Sequence, residues 1–228
     1  MQKASASCLH GIDVSHWQGE IDWHSVKKAN ISFAYIKSTE GRTYTDPRFI
    51  SNARGALAAN IPTGAYHFAR PDNNPTKQGA IEEAKHFIKT MAEGFGKNRV
   101  GDILPVLDLE VPPAKKDSKA ATHEILEWAA SFDRYFTENT GRALMLYTGS
   151  YFIKEHNNFN HPAHGFILAH MPLWIAMYPH ARGNPEYPDN AGGWARWTAW
   201  QYTNSGKVKG IKGNVDLNWA VPDLIRSC

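Results

Sequence analysis

Asp108 and Glu110 stand two residues apart at the end of an apolar run, Ile103-Leu104-Pro105-Val106-Leu107. A run without alternation suits a strand buried on both faces whose last residues emerge into a pocket. Side chains two apart on a strand share a face, so the two Cα atoms are expected ~6.6 Å apart, twice the ~3.3 Å rise per residue. Carboxyls held that close repel, and one pKa is driven up, leaving one acid ionised and its neighbour protonated near neutral pH. Such a pair does acid–base work or holds a metal.

The pattern along the chain supplies strands to carry it. Gly11–Ser15, Ser32–Lys37, Thr63–Phe68, Ile103–Glu110 and Ala143–Tyr147 each fit a short strand. Helical spacing fills the intervals: Asp22–Ala29, a helix opened by Asp46-Pro47, Asn74–Phe95 with Ile81, Ala84, Lys85 and Ile88 on one face, and Ser118–Asn139 with Ile125, Trp128, Ala129 and Phe132 buried. Four strand–helix pairs in succession predict right-handed parallel crossovers and an α/β fold. Three further strands, at Leu173–Met177, Thr198–Tyr202 and Asn214–Trp219, are separated by loops rich in Pro, Gly, Asn and Trp. Eight strands in one chain predict a TIM-like barrel whose last strands have lost most of their helices. Residues 10–228 form one domain in this reading, preceded by a flexible leader over 1–9.

A barrel gathers its strand ends at one mouth. Asp13, Glu40, Tyr66, His67, Asp108, Glu110, Tyr147, Gln201 and Asp216 would therefore converge from distant parts of the chain. Several carboxylates in an aromatic-lined cleft, with no nucleophilic Cys or Ser motif and no phosphate-cradling Gly loop, suit glycoside hydrolysis. Glu110 is the candidate acid. Asp108 would assist as nucleophile, as base in an inverting reaction, or by orienting a substrate 2-acetamido group. A glycan-binding protein that does not cleave, and a hydrolase using the same acids on Mg²⁺ or Ca²⁺, are the competing classes.

The composition bounds the rest. Of 228 residues, 42% are hydrophobic and 21% charged, with eight Trp and nine Tyr. Net charge is +3 and Lys and Arg form no run, so nothing points to nucleic acid. No apolar stretch approaches the ~20 residues that span a bilayer. Cys8 and Cys228 lie at opposite ends of the chain and are expected to form a disulfide joining the termini, which fits an oxidising compartment. His161-Pro162-Ala163-His164 resembles a metal pair, but the intervening Pro argues against a helical ligand face, so no metal and no cofactor is expected.

Six motifs, in order, carry a family resemblance: Gly11-Ile12-Asp13-Val14-Ser15-His16-Trp17-Gln18, Lys37-Ser38-Thr39-Glu40-Gly41, Gly64-Ala65-Tyr66-His67-Phe68, Pro105-Val106-Leu107-Asp108-Leu109-Glu110, Leu173-Trp174-Ile175-Ala176, and Trp200-Gln201-Tyr202 with Val215-Asp216-Leu217-Asn218. Together they resemble the glycoside hydrolase family 25 lysozymes. The resemblance implies a barrel of five β/α units plus three further strands, and a secreted N-acetylmuramidase acting as a monomer on cell-wall peptidoglycan. It would cleave the β-1,4 bond between N-acetylmuramic acid and N-acetylglucosamine, with net retention. By the same resemblance Glu110 is the acid/base, Asp108 its assisting carboxylate, and Asp13 and Asp216 the flanking acids. Tyr66, Tyr147, Trp174 and Gln201 would touch substrate, and Glu40 joins them as a binding candidate. The loops at 157–170 and 179–196 match no family pattern.

Overall fold

In the computed structural model, which describes residues 1–97, 99–113, 118–179 and 183–226, eight strands close into a barrel. These are β1 (Leu9–Val14), β2 (Phe33–Glu40), β4 (Thr63–Phe68), β5 (Val106–Asp108), β6 (Met145–Gly149), β7 (Leu173–Ala176), β8 (Ala199–Gly206) and β9 (Val215–Ala220). A two-residue strand, β3 (Tyr44–Thr45), lies outside the barrel as a hairpin partner of Thr39–Glu40. The helices are α1 (Trp23–Lys28), α2 (Phe49–Ala58), α3 (Lys77–Phe95), α4 (Ser118–Thr140), α5 (Ser150–Glu155) and α6 (Asp223–Arg226). Neighbouring strands run parallel from β1 through β2, β4, β5, β6 and β7 to β8. β9 runs antiparallel to both β8 and β1 and closes the ring. The eight residues between β8 and β9 are too few for a helical crossover, so that connection is a hairpin. The architecture is the modified TIM-like barrel expected, five β/α units followed by three strands.

Alternation along each strand sorts the core into two layers. Ile12, Val14, Ile36, Ala65, Leu107, Leu146, Leu173 and Ile175 point outward and pack under the helices. Phe33, Tyr35, Val106, Met145, Tyr147, Trp174, Ala199 and Ala220 point inward and fill the lumen. Room for the lumen rings comes from glycines on neighbouring strands. A Cβ on Gly11 would lie 2.2 Å from the Phe33 ring, and one on Gly64 would lie 2.5 Å from the Tyr35 ring. Phe33 and Tyr35 plug the lower barrel, so the upper lumen alone is left for polar side chains.

Several elements depart from expectation. The acidic strand is only three residues long, because Pro105 has no N–H to contribute. Pairing nevertheless continues at both ends, with Met145 N–H donating to the Pro105 carbonyl and Leu109 N–H to that of Tyr147. α2 is regular only from Phe49, but Asp46 caps the turn that leads into it as expected: its carboxylate accepts the Arg48 N–H (2.9 Å) and its carbonyl the Phe49 N–H (3.0 Å), while its other oxygen holds His16. The buried face of α3 is Ala80, Glu83, Ala84, Phe87 and Met91, with Lys85 exposed. That face is the apolar stripe Ala80, Ala84, Phe87 and Met91, at i, i+4, i+7 and i+11, and Glu83 is buried beside it by its bonds to His67 and Asn74. The stretch read as a flexible leader makes defined contacts: the Met1 ammonium reaches the Pro188 carbonyl (3.0 Å), and Gln2 exchanges hydrogen bonds with Trp197. Cys8 is half-buried, whereas Cys228, and with it the expected disulfide, lies outside the described residues. Among the described residues no helix is long and apolar enough to cross a membrane.

Candidate active site

The upper lumen opens as a cavity of about 380 Å³ at the C-terminal ends of the parallel strands. Asp13, Lys37, Tyr66, Phe68, Asp108, Glu110, Tyr147, Trp174, Gln201 and Asp216 all line it. Each shares the inward parity of its strand with a lumen residue two or four positions away, as Asp13 does with Gly11 and Lys37 with Tyr35. One alternation rule thus fills the lower lumen with apolar rings and the upper lumen with acids.

Asp13 sits at the centre of a hydrogen-bond network. Its Oδ2 accepts from Asn218 Nδ2 at 2.7 Å and Gln201 Nε2 at 3.1 Å. Gln201 Oε1 in turn accepts from the Tyr147 hydroxyl (3.0 Å) and the Tyr178 hydroxyl (2.8 Å), and Asn218 Oδ1 accepts from Trp174 Nε1 (2.8 Å). Burial pushes the Asp13 carboxyl up, and the bonds from Asn218 and Gln201 pull it back toward the charged form. Burial and the Asp13 charge push the Asp216 carboxyl up to about 9. Asp216 therefore keeps the proton of this pair at neutral pH and donates it to Asp13, which stays anionic.

Asp108 and Glu110 face this pair from β5 and its extension. Burial, then the charge of Glu110, pushes the Asp108 carboxyl well above the usual range. Burial and the charge of Asp13 push Glu110 up as well, while the Lys37 ammonium draws both down. Asp108 Oδ1 is buried and has no hydrogen-bond partner among the described residues. Burial likewise raises Tyr66 and Tyr147 far above the ordinary phenol range, so both keep their protons. The arrangement is a protonatable acid beside an under-partnered carboxylate, which is the combination that protonates a leaving oxygen while holding a second group in place.

Of the residues expected at the mouth, two are not brought to the cavity: His67, which faces outward onto Glu83, and Glu40. It accepts from Lys37 Nζ (2.7 Å) and Arg70 (2.8 Å), and these bonds hold its carboxyl below the usual range despite the opposing effect of burial. Its contact with the site is therefore through Lys37. Trp174 lies under the cavity floor, 2% exposed, stacked on Tyr35 with ring centroids 4.7 Å apart. Lys37, Tyr178 and Asn218 went unselected. Asn218 follows Asp216 by two and so shares its face, a signal present in the sequence; Lys37 and Tyr178 carry no such mark.

Away from the cavity, His161 stacks on His164 as their spacing allows, with centroids 4.6 Å apart. It also meets His123 and Glu127 of α4, and the three offer ligand-type atoms within 4.8 Å of one another. His161 Nδ1 accepts the N–H groups of Ala163 and His164, both at 3.1 Å. Nε2 therefore carries the ring proton and donates to His123 Nδ1 at 2.7 Å. This contact is a filled hydrogen bond, not an open coordination position.

A family model described as glycosyl hydrolases family 25 matches residues 12–211. The chain belongs to glycosyl hydrolase family 25. Among family relatives, Lysozyme M1 of Streptomyces globisporus is 38% identical over 218 residues, covering 94% of this chain and 68% of that protein. An N,O-diacetylmuramidase of Chalaropsis sp is 32% identical over 220 residues, covering 91% and 96%. The Clostridium perfringens spore cortex lytic enzyme SleM superposes with a TM-score of 0.92 at 38% identity, covering 99% of this chain and 71% of that one. The chain is thus a glycoside hydrolase, and the competing classes of non-cleaving glycan binder and metal-dependent hydrolase give way to this family.

Proposed function

We propose that this chain is a peptidoglycan-degrading N-acetylmuramidase that cleaves the β-1,4 bond between N-acetylmuramic acid and N-acetylglucosamine with net retention. Glu110, whose carboxyl burial and the Asp13 charge push above the usual range, gives its proton to the leaving glycosidic oxygen. The substrate's own 2-acetamido oxygen attacks the anomeric carbon from the opposite face as the C–O bond breaks. Asp108 accepts the acetamido N–H and stabilises the positive charge that develops on it. Water then adds to the anomeric carbon, the acetamido group is released, and Glu110 recovers its proton from that water. The observation that carries this reading is the buried, unpartnered Asp108 Oδ1 beside Glu110. A buried acceptor without a partner costs about 1–3 kcal/mol unless something fills it, and an acetamido N–H would do so.

Glu110→Gln and Asp108→Asn should each lower release of reducing ends from cell walls by ~10²–10⁴-fold with the fold intact. Near-normal activity in either variant would end the assignment. Product anomers read by NMR in the first turnovers should be β; an α product would overturn retention. A glycosyl adduct trapped on Asp108 would make that residue the nucleophile instead. In this reading the protein acts outside the cell as a monomer, with Cys8 and Cys228 joined. A mass two hydrogens below the fully reduced value in the unreduced protein would be the sign of that bond.

A further inference from the structure

All eight Trp fall among the described residues, and they separate sharply. Trp23, Trp128, Trp174, Trp194, Trp197 and Trp200 are buried and Trp219 is half-buried, whereas Trp17 is 81% exposed. A ring so placed contributes almost nothing to the core. Yet its backbone is tightly fixed in the 3₁₀ turn His16–Gln18 that follows β1. Ser15 Oγ accepts the Trp17 N–H (3.3 Å), and Gln18 Oε1 accepts the Ser15 N–H (2.9 Å). Gln18 Nε2 donates to the Asn214 carbonyl (3.3 Å), tying the turn to the hairpin between β8 and β9.

The ring is also backed. It lies against His16 with centroids 4.6 Å apart, and His16 Nδ1 is held by the buried Asp46 carboxylate at 2.8 Å. The outer strand β3 brings Tyr44, 41% exposed, edge-on to His16 with ring centroids 6.3 Å apart. Trp17 itself lines the cavity, so the contiguous rings of Trp17, His16 and Tyr44 meet the mouth at Trp17. A cavity of about 380 Å³ is at the small end of ligand clefts, which run from ~300 to 1,000 Å³. A polymer engaged there must continue over the rim, and an exposed aromatic face at that rim is where the apolar face of a sugar ring would rest.

Resting on the muramidase reading above, we infer that Trp17 is a glycan platform. It stacks a sugar one or more residues away from the bond being cleaved and sets a preference for long strands over short fragments.

The test is a length series. Trp17→Ala should lower the ratio of kcat/KM on polymeric glycan strands to kcat/KM on the shortest cleaved fragment about tenfold, with a smaller loss in Trp17→Phe, which keeps a flat ring. Thermal unfolding should not move, because the side chain is nearly free of the core. A ratio unchanged within twofold, whether both substrates suffer or neither does, overturns the platform. A second arm does not depend on turnover. In the Glu110→Gln background, calorimetric affinity for uncross-linked glycan strands should rise with strand length and lose that rise when Trp17→Ala is added. If the unsubstituted chain releases no reducing ends, the muramidase reading falls while this arm still judges Trp17. Affinity that is equally length-dependent without the ring, or that never depends on length, counts against it.

Discussion

Tyr66 and His67 are neighbours on β4 and face opposite worlds. Tyr66 looks into the lumen with four carboxyls around it, and His67 looks out under α3 toward one, Glu83. Both environments bury acids, but they treat them differently. Glu83, 0% exposed, accepts from His67 Nε2 (2.9 Å), the Arg70 N–H (3.1 Å) and Asn74 Nδ2 (2.9 Å). Burial lowers the His67 pKa, so the ring is neutral, with its proton on Nε2 toward Glu83 and its Nδ1 accepting from Thr39 Oγ1 (2.8 Å). Every polar atom there has a partner. In the lumen, like charges face one another, Asp108 Oδ1 has none, and four carboxyls are pushed upward. The satisfied cluster holds the fold together, and the unsatisfied one is kept in reserve for a substrate.

Glu83→Ala is the most damaging way to challenge that contrast. It removes an acceptor shared by three donors, leaving His67, Asn74 and the Arg70 amide unpaired in the interior. Each buried neutral donor left without its acceptor costs about 1–3 kcal/mol, so three together should cost about 3 kcal/mol or more. Denaturant unfolding should show a loss of that size, while kcat/KM of the folded fraction stays within a few-fold of the parent, since Glu83 touches nothing in the cavity. A loss of activity without loss of stability would assign the outer cluster to catalysis and collapse the distinction.

Asp108→Asn probes the opposite side, with a smaller effect of opposite sign. The folded carboxyl titrates above its unfolded value, so ionising it opposes folding. That penalty is absent below the unfolded pKa, ~3.9, and appears as pH rises toward the raised folded value. The variant should therefore be more stable than the parent at pH 7 by about 0.5–2 kcal/mol, with the gain fading toward pH 3, even as activity is lost. Equal stability at pH 7 would mean that the lumen acids are as well satisfied as Glu83.

The sequence shows the lumen more readily than the outer cluster, for a physical reason. Strand alternation has period two, so once Asp108 is known to face inward, Glu110 must too, and Asp216 brings Asn218 with it. The same rule could not choose a direction for Lys37, because an isolated Lys on a strand is usually solvent-facing; only closure of the barrel turns it inward beside Asp108. Glu83 was invisible for the converse reason. A charged residue next to an apolar helical stripe is ordinarily at its edge, and the His67, Asn74 and Arg70 partners that draw it inward lie on other segments. Glu40 was misplaced by proximity: it ends β2 at the mouth, yet Arg70, thirty residues on, turns it aside.

Lys37 joins the two regions, and its removal should give the smallest effect. Its ammonium is bonded to Glu40 on one side and draws down both Asp108 and Glu110 on the other. Its ammonium lies over Phe68, with Nζ 4.7 Å from the ring centroid, so Lys37→Met keeps an unbranched side chain there and deletes the charge together with that cation–π contact. Without the cation both carboxyls rise further. The two limbs of the kcat/KM profile belong to the coupled Asp108–Glu110 pair, and both should move to higher pH, shifting the whole bell upward by ~0.5–1 pH unit, within the ~1-unit spread of perturbed side-chain pKa values. If only one limb moves, Lys37 acts on one protonation step of the pair and the other is set by burial. A profile that does not move would mean the charge is fully spent on Glu40, and Lys37 then belongs with Glu83 and His67 as part of the scaffold.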